Sequence, residues 1–119
     1  MKTIIILATV IASGAWASDR PIGVFDSGTG GLTVLEKLLA ADAFDNVTGE
    51  QVADGKPDFS SENFVYFGDQ ANMPYGRYAA EGKADFLREL VTDDARFLLD
   101  GAEHPPAKIV VIAMPQSMV

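Results

Sequence analysis

Three short apolar runs divide the chain from residue 21 onwards, and two longer stretches with apolar residues at helical spacing lie between them. The runs cover 22–25, 63–68 and 108–113, and their length and composition predict strands buried on both faces of a sheet. The stretches 32–41 and 80–99 predict amphipathic helices. This β-α-β-α-β order predicts an α/β domain with three layers, in which a parallel sheet lies between helices.

The domain predicted from these elements covers 18–119 and contains one insertion. Segment 42–62 is polar, carries Gly49 and Gly55, and therefore predicts a surface insertion without catalytic residues. Gly101 follows the second helical stretch and predicts the end of that helix, because glycine accepts the left-handed conformation found after a last helical turn.

The first 17 residues have the pattern of a secretory signal peptide. Lys2 gives a positive start, 4–12 is apolar, and Ala15-Trp16-Ala17 is a small-x-small cleavage site. The apolar run is short for a bilayer, so no stable membrane span is expected. The pattern predicts export to the periplasm, while the alternatives are a retained anchor, an additional buried strand, or a cytoplasmic protein whose signal is not used.

Composition narrows the class of partner. The chain has 119 residues, 48% of them hydrophobic and 22% charged, which is typical of a globular domain. Its formal net charge of −8 argues against nucleic acid or an anionic membrane as partner, because phosphates bind basic patches. The chain has no cysteine, which excludes disulfides, thiolate metal sites and thiol nucleophiles. The single histidine, His104, is expected in an exposed loop, and we predict neither a metal site nor a cofactor.

The candidate site lies where the three predicted strands end. The carboxyl ends of parallel strands meet at one edge of a sheet, so 26–28, 68–76 and 113–114 are expected to surround one pocket for a small anionic metabolite. Asp26 can accept a hydrogen bond from an ammonium group, and Ser27 can donate one to a carboxylate. The alternative for the glycine cluster at 28–31 is a tight strand-to-helix turn that needs small residues.

A second part of the predicted pocket follows the middle strand. Tyr75 offers a phenolic donor, and Pro74 and Gly76 are expected to hold the turn so that backbone groups face the ligand. The alternative for a lone tyrosine is an aromatic side chain packed at the edge of the core. Asp69 could cap the same loop.

The residues of this pocket carry a family resemblance. The segments IGVFDSGTGGLTVL (22–35) and FGDQANMPYGR (67–77) resemble two motifs of glutamate racemases in the aspartate/glutamate racemase family, and IVVIA (109–113) is similar to the strand before that family's first catalytic cysteine. The resemblance covers most of 21–113. It implies the N-terminal half-domain of a cofactor-independent isomerase that interconverts L- and D-glutamate, or acts on aspartate, and supplies D-glutamate for peptidoglycan.

The resemblance also assigns roles and shows one departure. It implies that Asp26 and Ser27 contact the polar groups of the amino acid, and that Tyr75 and Gly76, next to Pro74, contact its carboxylate side. The family has Cys-Asn-Thr after the last strand, whereas this chain has Met114 and then Pro-Gln. Methionine has no acidic proton, so the resemblance predicts no catalytic residue in this chain.

The resulting hypothesis is a truncated, inactive relative of glutamate racemase. The alternatives are a non-catalytic module that binds a small anion or an amino acid, and an unrelated phosphate-binding domain built on the glycine turn. A three-stranded sheet cut from a larger one leaves unpaired edges, so we also predict marginal stability or self-association.

Overall fold

The structure is a computed structural model that describes residues 3–7, 19–28 and 30–114, the first of these segments by its backbone alone. Its elements, in chain order, are β1 (Thr3–Leu7), β2 (Ile22–Asp26), α1 (Gly31–Ala40), β3 (Phe64–Gly68), α2 (Gly76–Ala80), α3 (Ala84–Asp100) and β4 (Ile109–Ala113).

The predicted parallel sheet is confirmed. The strand order is β1-β3-β2-β4, and β2 runs parallel to both β3 and β4. Asp26 at the end of β2 is level with Gly68 of β3 and Ala113 of β4. The three parallel strands therefore end at the same edge, and the loops that follow them meet there.

The strand β1 lies within the segment predicted as a signal peptide. It pairs antiparallel with β3, so that Thr3 is opposite Gly68 and Leu7 is opposite Phe64. This pairing is the additional strand named above as an alternative to a leader. The rest of that segment, including Ala15-Trp16-Ala17, lies outside the described residues, and its cleavage stays a prediction.

Helices cover both faces of the sheet, as the three-layer prediction requires. Val24 of β2 packs in a cluster with Leu35 of α1, on one face. Phe25, the next residue of β2, packs on the other face in a cluster with Leu87 and Leu98 of α3. Val24 and Phe25 are both fully buried, because successive side chains of a strand point to opposite faces.

The stretch predicted as one helix over 80–99 is divided. Residues 76–80 form the short helix α2, and α3 starts at Ala84 after a turn in which Gly82 has φ +72°. The predicted end of α3 is confirmed: Gly101 has φ +64°, and a Cβ there would lie 2.6 Å from the backbone nitrogen of Pro106. The apolar residues at helical spacing begin at Phe86, so the periodicity did not predict the short helix over 76–80 and placed the start of the longer helix four residues too early.

His104 is buried, so its predicted exposure is wrong. Its Nε2 lies 3.0 Å from the carbonyl oxygen of Phe97 and its Nδ1 lies 2.8 Å from that of Pro105. The ring thus lies against a carbonyl of the last turn of α3, where the carbonyl groups have no partner within the helix.

Segment 42–62 contains neither helix nor strand and is held by aspartate side chains. The Asp58 carboxylate accepts the backbone N–H groups of Ala43 and Phe44, and the Asp42 carboxylate accepts those of Asp54 and Gly55. Within the described ranges, no helix is long and apolar enough to cross a bilayer.

Candidate functional site

A cavity of about 930 Å³ lies at the sheet edge where the three parallel strands end. Four of the five predicted binding residues line it, namely Asp26, Ser27, Pro74 and Gly76. Its wall also includes Gly28 and Gly30 of the turn before α1, and Val34, Met73, Ile112, Ala113 and Met114. The structure thus brings together the strand ends that the sequence placed at one edge.

Asp26 ends β2 and is held in one orientation. Its Oδ1 accepts the backbone N–H of Gly28 at 2.9 Å, and its Oδ2 accepts the hydroxyl of Tyr66 at 2.5 Å. The side chain is only 1% exposed. Burial, followed by the hydrogen bond and the negative charge of Asp26, raises the pKa of Tyr66. Each carboxylate oxygen has a further lone pair, so Asp26 can still accept a hydrogen bond from a ligand.

Ser27 joins the ends of neighbouring segments. Its hydroxyl donates to the carbonyl oxygen of Ala113 at 3.2 Å, which ties the end of β2 to the end of β4. Its own carbonyl oxygen accepts the backbone N–H of Tyr75 at 3.2 Å. Ser27 therefore links the end of β4 and the loop with Tyr75, which both belong to the cavity region. Its hydroxyl must rotate away from Ala113 before it can donate to a ligand.

The side chain of Tyr75 does not form part of the cavity wall. It is fully buried, and its hydroxyl donates to Asp69 Oδ2 at 2.7 Å and also contacts Asp94 Oδ2. Burial first, and then the hydrogen bonds to Asp94 and Asp69, raise its pKa. The sequence-based expectation of a phenolic donor facing the ligand is wrong for this conformation, because the hydroxyl is engaged inside the core.

Asp69 and Asp94 instead anchor the loop that forms one wall. Asp69 accepts the backbone N–H groups of Asn72 and Met73 on its carbonyl oxygen, and its Oδ2 accepts the Asn72 side-chain amide at 2.6 Å. Its Oδ1 is buried with no hydrogen-bond partner among the described residues. The peptide bond between Met73 and Pro74 in this loop is cis.

Asp94 was missed by the sequence reasoning. It is 2% exposed on the buried side of α3, seven residues after Leu87 and four before Leu98. An acidic residue in line with an apolar helical stripe was the available signal, because such a position requires a buried hydrogen-bond partner.

Glycine is needed in this turn for two different structural reasons. A Cβ on Gly31 would lie 2.4 Å from Cβ and Cγ of Asp26, so the fold itself requires glycine there. Gly28 and Gly30 have nothing within 4 Å of such a Cβ, neither has a positive φ, and both line the cavity. A side chain at either position would not collide with the rest of the chain. The effect of glycine there is to leave the backbone accessible from the cavity.

The helix α1 begins beside this open backbone. It has ten residues, its N-cap is Gly30, and no side chain caps its first turn. The first N–H groups of a helix have no partner within the helix and carry a partial positive charge, which favours an anion.

Met114 follows β4 and lines the cavity at the position where the resemblance implies a cysteine. Its thioether can neither remove nor deliver a proton at neutral pH. In the part of the chain that the structure describes, no group of three or more metal-ligating side chains comes together.

Comparison with known proteins confirms the resemblance. The chain is 35% identical over 95 residues to glutamate racemase from Chlorobaculum tepidum and 39% identical over 95 residues to that from Thermoanaerobacter pseudethanolicus; each match covers 80% of this chain and 26% of the relative. It is 38% identical over 93 residues to glutamate racemase from Lactobacillus johnsonii, covering 75% of this chain and 29% of the relative. The chain thus spans little more than a quarter of the length of these relatives. No family model and no solved structure matches it.

Proposed function

We propose that this chain binds glutamate or aspartate in the cavity at the sheet edge and does not racemise it. The proposal rests on one observation: Asp26 and the uncapped N-terminus of α1 line the same cavity. The similarity of the chain to part of glutamate racemases supports it. An acceptor beside a set of N–H donors matches an amino acid, which carries an ammonium group next to a carboxylate.

The electrostatics support this orientation. The carboxylate of Asp26 is the acceptor for the substrate ammonium, and the N–H groups at the uncapped start of α1, from Gly30 onwards, are the donors for a carboxylate. A charge at a helix terminus contributes about 0.3–1 kcal/mol. The net charge of −8 opposes an anionic ligand at long range, so we expect weak binding at low salt. Added salt screens this repulsion and should strengthen the binding modestly.

The proposed lack of turnover follows from what racemisation requires. A proton must leave the α-carbon on one face and another must arrive on the opposite face, so two acid–base groups must flank the substrate. The chain contains no cysteine, and the Met114 side chain in the cavity wall has no acidic proton. Asp26, which also lines the cavity, is held by its hydrogen bonds to Gly28 and Tyr66. The peptidoglycan role implied by the resemblance requires this chemistry, so we do not propose it for the residues described above.

The experiment is a calorimetric titration with L-glutamate, L-aspartate and inorganic phosphate, with proton NMR of L-glutamate in heavy water. We expect heat of binding for an amino acid and no loss of the α-proton signal. Asp26→Asn should weaken binding at least about tenfold, the effect of about 1.4 kcal/mol. The matched control is Asp93→Asn, an exposed carboxylate paired with Arg96 on α3.

Three outcomes would count against the proposal. A folded chain that binds none of the three ligands is not a binding module. Phosphate binding that Asp26→Asn leaves unchanged would favour the unrelated phosphate-binding domain. Loss of the α-proton signal would mean that the chain is a racemase despite lacking a thiol.

We also propose that 1–17 act as a signal peptide and that 18–119 are exported. The support is the pattern of Lys2, the apolar run and Ala15-Trp16-Ala17. Removal of this segment would take β1 away from β3. Mass spectrometry of the protein recovered from the periplasm should give a chain that begins at Ser18, and an intact N-terminus in the cytoplasm would refute the proposal.

We further propose that the chain self-associates, because one edge of its sheet is apolar and has no neighbour in the described ranges.

A further inference from the structure

The carboxylate of Asp26 lines the cavity, yet within the described ranges it has no cationic partner. Both of its hydrogen-bond donors are neutral groups, the backbone N–H of Gly28 on Oδ1 and the hydroxyl of Tyr66 on Oδ2. The ion pairs in these ranges involve other carboxylates. A buried charge without a counterion is costly, and an ammonium group that enters the cavity would supply one.

Tyr66 reaches Asp26 from the neighbouring strand of the sheet. It lies on β3 opposite Val24, two residues before Gly68, which is itself opposite Asp26. Residues two apart on a strand point to the same face, and the ring of Tyr66 passes beside Gly68. A Cβ on Gly68 would lie 3.9 Å from both Cε1 and the hydroxyl oxygen of Tyr66. The ring therefore extends along the strand to its carboxyl end, where Asp26 lies.

Three groups surround the carboxylate of Asp26. The N–H of Gly28 binds Oδ1 at 2.9 Å, and the hydroxyl of Tyr66 binds Oδ2 at 2.5 Å. The first residue of α1 packs against it, since a Cβ on Gly31 would lie 2.7 Å from Oδ2. Gly28 and Gly31 belong to the turn that follows Asp26 and act through their backbone. Tyr66 is 40 residues away in the sequence, so its hydroxyl can be removed without altering that turn.

We propose that Tyr66 is a positioning residue for amino-acid binding, whose hydroxyl holds the Asp26 carboxylate in the orientation that receives the ammonium group of the ligand. This inference rests on the proposed function, because it concerns how the acceptor in that cavity is held. Tyr66 does not line the cavity, so it acts through Asp26 and not by contact with the ligand. A carboxylate that is already held loses less conformational freedom when the ligand binds.

The hydroxyl of Tyr66 and the ligand can bind Asp26 at the same time. Each carboxylate oxygen has two lone pairs, so an ammonium group adds to the hydrogen bond from Tyr66 and does not have to replace it. Removal of the hydroxyl leaves the carboxylate with the N–H of Gly28 as its remaining donor in the described ranges. We expect Tyr66→Phe to weaken the binding of L-glutamate about three- to tenfold, which corresponds to the net contribution of one hydrogen bond.

The first test is calorimetric titration of L-glutamate into the full chain and into Tyr66→Phe. The matched control is Tyr78→Phe, which also removes a buried phenolic hydroxyl, one that donates to the carbonyl oxygen of Asn72 instead of to Asp26. The control should change the dissociation constant by less than about twofold, because its hydroxyl does not touch Asp26. Circular dichroism confirms that both variants are folded.

The second test is a tyrosine absorbance spectrum of the wild-type chain with L-glutamate or with glutarate, which has the same two carboxylates and no ammonium group. An ammonium group bound to Asp26 draws negative charge away from the oxygen that accepts the Tyr66 hydroxyl. Glutamate should therefore shift the tyrosine band and glutarate should not. The shift should disappear in Tyr66→Phe and persist in Tyr78→Phe.

Several results would overturn the proposal. Tyr66→Phe might bind L-glutamate as tightly as the wild type, or more tightly because the hydroxyl competes with the ligand. Equal weakening in Tyr66→Phe and Tyr78→Phe would indicate a general loss of packing. A tyrosine shift with both ligands, or with neither, would disconnect Tyr66 from the ammonium group. A folded wild-type chain that gives no heat with L-glutamate would instead refute the proposed function itself.

Discussion

The turn between β2 and α1 provides a direct test of why its glycines are small. In Gly31→Ala the added methyl group would lie 2.4 Å from Cβ and Cγ of Asp26, against about 3.5–4.0 Å for carbon atoms at optimal separation. Asp26 cannot move aside without weakening its hydrogen bonds to Gly28 and Tyr66. Overpacking typically costs about 1–3 kcal/mol. The gain in helix propensity, up to about 1 kcal/mol at an interior position, offsets part of this cost.

We therefore expect Gly31→Ala to destabilise the fold by about 1–2 kcal/mol, which for a domain of this size lowers the melting temperature by roughly 4–8 °C per kcal/mol. Gly28→Ala and Gly30→Ala should change stability by less than about 0.5 kcal/mol, because nothing lies within 4 Å of the added atom. The same two variants should weaken amino-acid binding, since both positions line the cavity.

The assay is urea unfolding followed by circular dichroism, with calorimetric titration of glutamate on each folded variant. The reasoning predicts opposite patterns: a loss of stability for Gly31→Ala, and a loss of binding at full stability for Gly28→Ala and Gly30→Ala. Equal stability losses for Gly30→Ala and Gly31→Ala would refute it, because the contact with Asp26 would then not be the cause.

Two further predictions concern the buried tyrosines. Tyr75→Phe removes the hydroxyl between Asp69 and Asp94 and leaves two buried carboxyl groups without this donor. Urea unfolding should therefore show a free energy of unfolding lower by about 1–3 kcal/mol. The control is Leu99→Ala at a half-exposed position, and a change no larger than the control's would contradict the reasoning. Folding raises the pKa of Tyr66 and Tyr75 above the unfolded value of about 10, so the neutral phenols stabilise the fold fully below that pH and the contribution is lost as the pH rises above it. Absorbance at alkaline pH should show these two phenols ionising together with unfolding, and their titration near pH 10 in a still folded chain would refute the assignment.

The order and type of the main elements could be predicted from the sequence, since the period of apolar residues reports which faces a segment buries. Strands apolar on both faces require helices on both sides, and parallel strands place Asp26, Gly68 and Ala113 at one edge. Gly101 could be identified as the end of α3 from local conformation alone. The end of a helix depends on residues close in the chain. The type of a strand or helix depends on which of its residues are buried, and not on which residues bury them.

Only the tertiary structure decided the partners of the buried polar groups. Tyr75 turns away from the cavity because Asp94, nineteen residues later, reaches it from α3. Gly31 is required because α1 starts against the side chain of Asp26, and Gly28 is not, although both belong to the same cluster. The physical reason is that periodicity records how deeply a residue is buried, whereas a hydrogen bond or a steric contact depends on where two separate elements cross.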